Sequence, residues 1–298
     1  RCPGCGAEAL TLLGAGTERA EEILPDLLGP SARVARLDSD VAPGRASEAV
    51  IDKVRSGETN VLIGTQLVTK GHDLPGVSVV GVLLADASLN FPDFRAGERT
   101  FQLLTQVAGR AGRGEREGKV VIQTFLPGHP TIRFAANHDY QGFYRHEMIA
   151  RTELGYPPLA HLAAIRISSK SSDLAEGTAE RLATLSRSMP EVGTGHVQVR
   201  GPAPAPIAVI RERYRHRLLF KSRERGPLRK VLHGLLAAAD GLKKLDLRIA
   251  FDVDPVHDRQ YAFDLLGGIF RFQLGIVGIY RTGQSDNAVF GADIDLVG

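Results

Sequence analysis

The sequence is short of cysteine, of long apolar runs and of any strong excess of charge, and each shortage removes a class of protein. Its only cysteines are Cys2 and Cys5, which leaves no disulfide framework and fits a reducing compartment. The opening RCPGCGAEAL has no apolar core segment, so no secretory signal peptide is expected. The most apolar stretch, FDLLGGIFRFQLGIVGIY, is interrupted by Arg271, Gln273 and four glycines and does not read as a membrane span. Together these features predict a cytoplasmic chain. The net charge of +3 and pI near 8.9 permit a polyanionic partner without demanding one. No internal repeat, low-complexity tract, G-x-x-x-x-G-K-S/T motif or acidic Walker B box occurs, so the chain is not expected to hydrolyse ATP unaided. What is present is ordinary for a globular protein of about two domains: 298 residues, 43% hydrophobic and 24% charged.

Strand-like and helix-like segments alternate through the first half. LTLLGAG reads as a strand entering a glycine turn. TERAEEILPDLL reads as a helix, with Thr17 at its start and Glu21 and Glu22 in its first turns. ARVARLD is a strand, ASEAVIDKVRSG a helix stopped by Gly57, NVLIGT and VSVVGVLLAD short buried strands, AGERTFQLLTQVAGRA a helix and GKVVIQTF a strand. This rhythm predicts a mostly parallel sheet with helices on both faces. Its ligand loops are then the segments after the strands: GAGTER, GTQLVTKGHD and ADASLNFPDFR. The character changes at LPGHP and the helical YQGFYRHEMIARTEL, and the prolines of GYPPL place a domain boundary near 150. Beyond it HLAAIRISS, DLAEGTAERLATLSRSM, VQVRGPAPAPIAVIRERYRHRLLFKS, PLRKVLHGLLAAADG and LRIAFDVDP follow. Their order is β-α-β-β-α-β, a small α+β sandwich with helices on one face. Residues 258–298, apolar and glycine-rich, receive no role.

Several clusters carry chemistry. In QVAGRAGR, Arg110 and Arg113 each follow a glycine, with Gln106 upstream. A guanidinium keeps its charge and presents a planar fork of donors matched to phosphate oxygens. Two of them one helical turn apart can clamp a transferring phosphoryl group, with Gly109 and Gly112 allowing close backbone approach. Taken alone, the motif reads more readily as a glycine-terminated helix with solvated arginines. The strand ending in Gly64 delivers Thr65 and Gln66 into a loop containing Lys70, Gly71 and Asp73. Those groups suit a nucleic-acid backbone, with Asp73 on a ribose hydroxyl or orienting the arginines; the alternative is a polar turn. In IRERYRHRLLFKS, Arg213, Arg215 and Lys221 interleave with Tyr214 and Phe220. Basic side chains on a strand face neutralise phosphates and aromatics stack on bases, whereas a solvated face is the plainer reading. Cys2 and Cys5 supply two thiolates where structural zinc wants four ligands, which predicts a weak or empty site or an unliganded tail.

In their order and spacing, GTERAEEIL, VLIGTQLVTKGHDLPGV and QVAGRAGR resemble the last motifs of superfamily 2 helicases. RCPGCG, RLDSD, ADASLNFPDFRAGERTFQLLTQVAGRAGR, GYPPL, GPAPAPIAVIRERYRHRLLFKS and FDVDP narrow the resemblance to the primosomal replication-restart helicases, over residues 1 to about 257. The fold this implies is α/β: a RecA-like second helicase lobe followed by a small α+β C-terminal domain. Residues 1–9 would be the remnant of a zinc-binding insertion, 10–150 the lobe, 151–257 the DNA-binding domain, and 258–298 a stretch outside the family pattern. The resemblance implies that Arg110 and Arg113 face the ATP γ-phosphate with Gln106 beside them, and that Gly71 and Asp73 lie near the nucleotide. Thr17, Thr65 and Gln66 would line a single-stranded DNA track, with Lys70 adding charge, and Arg213, Arg215 and Lys221 would contact DNA. Cys2 and Cys5 would be the last ligand pair of a zinc module. Asp93, Phe94, Arg95, Glu98 and Arg99 match a family hallmark expected to brace the lobe.

The implied cofactors are ATP with Mg2+, at a site shared with an upstream lobe, and Zn2+ at a partial site. The implied partners are forked or single-stranded DNA, single-stranded DNA-binding protein and other primosome proteins, with the chain itself a monomer and no membrane involved. The implied activity is that of an ATP-dependent DNA helicase in replication restart and primosome assembly at stalled forks, this chain being its C-terminal half, a fragment or the product of a broken gene. Two other readings stand beside it: a non-catalytic DNA-binding or primosome-scaffolding module and, more remotely, an α/β enzyme that recognises a small phosphorylated substrate.

Overall fold

Helix α1 (Thr17–Leu28) leads to strand β1 (Val34–Leu37), helix α2 (Arg45–Arg55) and strand β2 (Val61–Gly64). All four residues of β2 are buried, a pattern that requires cover on both faces of its sheet. The cover follows from strand alternation. Val61 and Ile63 pack with Ala20 and Leu24 of α1, while Leu62 joins the opposite core with Ile51 and Val54 of α2. That second core also takes Val80 and Val82 of β3 (Val77–Leu83), Val120 and Ile122 of β4 (Lys119–Gln123), and the stripe Phe101, Leu104 and Val107 of α3 (Ala96–Ala108). A one-turn helix, Asp86–Leu89, and helices α4 (Pro130–Ala136) and α5 (Tyr140–Leu154) follow. His129 and Pro130 set the start of α4: the imidazole accepts from the Thr131 amide and proline takes the first helical position.

The chain is described from a computed structural model, over residues 17–37, 45–64, 77–91, 93–109, 118–242, 246–253, 275–280 and 294–297. It divides into two compact units, Arg1–Tyr144 with Leu265–Gly298, and Arg145–Asp264. In the first, the sheet order is β1-β2-β9-β3-β4-β10, where β9 is Gly275–Tyr280 and β10 is Ile294–Val297. β1 pairs with β2 and β3 with β4 in parallel, as the alternation of strands and helices predicts, and β10, from the unassigned tail, also joins β4 in parallel. Among the described strands of this sheet, β9 alone runs antiparallel, to both β2 and β3. The tail to which the sequence assigned no role thus supplies two strands, one of them between β2 and β3. LTLLGAG, read from sequence as a strand, lies outside the described residues.

In the second unit β5 (His161–Ser169), α6 (Ser172–Arg187), β6 (Val197–Ile210), β7 (Arg213–Ser222), α7 (Arg225–Asp240) and β8 (Arg248–Val253) reproduce the β-α-β-β-α-β order, with a one-turn helix, Pro190–Gly193, before β6. The sheet order is β6-β7-β5-β8, antiparallel throughout. The helices share one face because each carries a single apolar stripe. Ala179, Leu182 and Ala183 of α6 and Leu228, Val231, Leu232 and Leu235 of α7 pack on Ala163, Ile165, Ile167, Leu218 and Phe220. Phe220 is fully buried, worth about 2–3 kcal/mol of transfer free energy. Ser171 caps α6 by accepting from the Leu174 amide at 3.2 Å.

Candidate nucleic-acid interface

Strand periodicity decides where the basic residues of the second unit go. In β7, Leu218 and Phe220 enter the helix-covered core, so Arg213, Arg215, Arg217, Leu219 and Lys221 take the opposite face. Cross-strand register extends that face to the neighbouring strands. Arg166 stands opposite Arg217 and Ser168 opposite Arg215, Leu219 faces Arg200 of β6, and Ser168 faces Arg248 of β8. Arg200, Arg217 and Arg248 are exposed. Arg166 and Arg217 form a like-charge pair directly across strands, an arrangement that costs stability. The carboxylate of Asp252, 3.6 Å from Arg166, offsets part of it.

The residues singled out from sequence hold this sheet together more than they face outward. Arg213 donates from Nη1 to Asp246 Oδ1 at 2.8 Å and from Nη2 to the Ser168 carbonyl at 2.9 Å and the Asp246 carbonyl. Asp246 also accepts from Ser169 Oγ at 2.7 Å and from the Lys170 amide. Those two donors, with Arg213 adding to them, pull the Asp246 carboxyl down to about 2. Lys221 donates from Nζ to the Leu154 carbonyl at 2.7 Å, neutralising the carboxyl end of α5, and lies 5.5 Å from the ring centroid of Tyr156. Arg215 is only 8% exposed. Of the interleaved aromatics, Phe220 is core and Tyr214 is 40% exposed. The sequence reading missed Arg217, which the period of two could have supplied. Arg200 and Arg248 join the face only through register, which sequence alone does not carry.

In the first unit, Thr17 is buried at the start of α1 and Gln106 is exposed on α3. Arg110, Arg113, Gly71, Asp73, Thr65, Gln66, Lys70, Cys2 and Cys5 lie outside the described residues. The DFRAGER hallmark is a set of braces around the start of α3. Arg95 Nη2 meets Glu98 Oε1 at 2.6 Å, Arg99 Nη1 meets Asp93 Oδ2 at 2.8 Å, and Asp93 Oδ1 accepts from the Arg95 amide at 2.9 Å. The hydrogen bond to Glu98 raises the pKa of Arg95 further. Just upstream, the buried Asp86 accepts from Thr124 Oγ1 at 2.6 Å and from the amides of Phe125 and Leu126 at 2.8 and 3.2 Å, tying the carboxyl ends of β3 and β4 together. Among the described residues no group of three or more His, Cys, Asp or Glu could hold a metal ion, and no helix is long and apolar enough to cross a membrane.

Residues 12–115 match the helicase conserved C-terminal domain and residues 152–256 match the primosomal protein N C-terminal domain. The replication restart protein PriA of Bacillus subtilis is 41% identical over 256 residues, covering 85% of this chain and 31% of that protein. PriA of Synechocystis is 42% identical over 222 residues, covering 74% of this chain and 26% of that protein. PriA of Haemophilus influenzae is 37% identical over 256 residues, covering 86% and 34%. The chain therefore spans about a third of the length of the curated relatives it matches. A RecA-like helicase lobe followed by a small α+β domain, at these identities over most of the chain, makes it a member of the PriA replication restart family that carries the family's C-terminal region.

Proposed function

We propose that this chain is the arginine-bearing, DNA-gripping part of an ATP-driven replication-restart helicase, and that the helix-free face of the second unit's sheet follows the DNA phosphate backbone. The observation that carries the DNA assignment is the cross-strand placement of Arg166 against Arg217, extended by Arg200 and Arg248. A sheet that sets like charges opposite one another gives up stability which a polyanion restores. The names of the relatives and the matched helicase domain support the restart role. Arg110 and Arg113, with Gln106, would meet the γ-phosphate of ATP, and Gly71 and Asp73 would lie beside the nucleotide. Bound ATP with Mg2+ supplies the free energy of hydrolysis, while the arginines hold the charge that develops on the transferring group. The phosphate cradle would come from residues beyond these 298, which contain no Walker A motif. Thr17, Thr65, Gln66 and Lys70 would contact the single strand in the first unit. Zinc binding by Cys2 and Cys5 would need a second ligand pair from outside the chain.

Anisotropy titration of forked DNA against salt tests the sheet face. Arg217→Ala and Arg248→Ala should each reduce the magnitude of the log K against log salt slope by about one and weaken binding to all sequences alike. Unchanged slopes would remove the face from the DNA path. The absent Walker A motif favours a second reading, a non-catalytic DNA-binding or primosome-scaffolding module. DNA-stimulated ATP hydrolysis by this chain joined to an upstream ATP-binding lobe separates the two. Turnover silenced by Arg113→Ala with DNA binding intact supports the motor; DNA binding without any turnover supports the module.

A further inference from the structure

The β6–β7 hairpin ends in a feature that a backbone-following face does not use. Its two-residue turn is Arg211–Glu212, with φ of 48° and 61°. That is the geometry of turns normally built from asparagine and glycine. Directly behind it Val209 pairs with Tyr214 across the hairpin, on the face alternate to Arg213 and Arg215. The two residues are 47% and 40% exposed. On the same face of the same strand Leu218 and Phe220 are fully buried beneath α6 and α7, so the helical cover ends before it reaches Tyr214. The tip thus presents an aromatic ring beside an aliphatic side chain, at the end of a strand whose other face is basic.

Charge narrows what such a platform takes. Arg211 and Glu212 carry opposite charges at the tip, so attraction for phosphate resides on the sheet face and not at the turn. A flat apolar platform attached to a cationic surface suits a nucleobase whose phosphates continue onto that surface, because every base offers a π-face. Within a duplex, base faces are covered by their neighbours. At the point where a duplex opens into a single strand, one face is bare.

We propose that Tyr214 and Val209 form a stacking platform for the exposed nucleobase at a duplex-to-single-strand junction in DNA. The adjoining phosphates run onto Arg217 and its neighbours, so this inference rests on the DNA-binding reading above. The stacking contact is uncharged and short-ranged, and its contribution is insensitive to salt, unlike that of the arginines.

The test uses the full 298-residue chain with two DNAs: a fork carrying 2-aminopurine as its first unpaired base, and a duplex closed at both ends by loops. Affinity is read by anisotropy and stacking by 2-aminopurine fluorescence. Wild type should quench the probe. Tyr214→Ala should abolish quenching and weaken fork binding about tenfold while leaving the salt slope and closed-duplex binding unchanged. Tyr214→Phe should retain quenching, and Tyr214→Leu, which keeps apolar bulk without the ring, should lose it even if the alanine variant fails to fold. Quenching and fork affinity that survive in both Tyr214→Ala and Tyr214→Leu overturn the platform. A wild-type chain that binds both DNAs without quenching overturns the platform and leaves the DNA reading standing; one that binds neither overturns both.

Discussion

At the scale of single residues, two positions in the second unit carry more of the fold than their chemistry suggests. Gly201 sits at φ +93°, and a Cβ there would lie 2.8 Å from the carbonyl oxygen of Arg217 and 3.1 Å from the amide of Ala203. Both neighbours are backbone, so neither gives way cheaply. Gly201→Ala should cost about 2–3 kcal/mol, combining a left-handed conformation with the clash, and its urea midpoint should fall with no change in m. A midpoint within error of wild type would mean that the backbone of β6 relaxes at the register shift between Arg200 and Ala203. Asp246 gives a pH signature. Its carboxyl is held at about 2, against an ordinary 3.8, chiefly by Ser169 Oγ, then by the Lys170 amide and Arg213. A depressed carboxyl stabilises the fold fully above its unfolded value, and that contribution drains away as pH falls from about 4 through about 2. Denaturation midpoints of wild type should therefore decline across that window, and Asp246→Asn should be less stable at neutral pH but flatter within it. Parallel declines in the two proteins would assign the acid sensitivity to other groups.

At the scale of elements, the Arg211–Glu212 turn yields a prediction of opposite sign. Non-glycine residues in the left-handed region cost about 1–3 kcal/mol each, less where the side chain is polar and exposed. Replacing the pair by Asn-Gly keeps the geometry and relieves most of that cost, so the double variant should gain about 1 kcal/mol after the larger unfolded-state entropy of glycine. A lower melting temperature would contradict the turn geometry. The elements around this turn differ in how much of them the sequence carries. The stripes of α6 and α7, the Gly57 stop after α2 and the β-α-β-β-α-β order were legible because each is a local pattern of apolar spacing or turn chemistry. The makeup of the basic face was only partly so. Register shifts between Arg200 and Ala203 and between Pro204 and Val209 decide which side chains of β6 oppose β7, and bulges have no period to read. The bond from Arg213 to Asp246 has no sequence signal, because Asp246 comes after an entire helix and the contact is set by the assembled sheet. The one-turn helix Asp86–Leu89 was too short for a periodic signal.

At the scale of the whole chain, the tail poses the sharpest structural question. Neither matched domain extends past residue 256, yet β9 lies between β2 and β3 in the first unit, reversed against both, whereas the other described pairs of that sheet are parallel. Its residues pair along the whole of β2, from Val61 opposite Ile279 to Gly64 opposite Ile276, and along most of β3. A central strand supplies ladder hydrogen bonds to both neighbours, so its removal leaves two interior edges whose amides must find water or another partner. Truncation after Val253 should therefore expose the β2 and β3 amides that face β9 to rapid hydrogen exchange. The ladder of β5, β6 and β7, in the other compact unit and without tail residues, should keep its protection. Loss of protection confined to the first unit would establish the tail as part of the lobe's sheet. Unchanged protection of β2 and β3 would mean that another segment of the chain takes that position once the tail is gone, and that the sheet does not depend on a strand from beyond the matched domains.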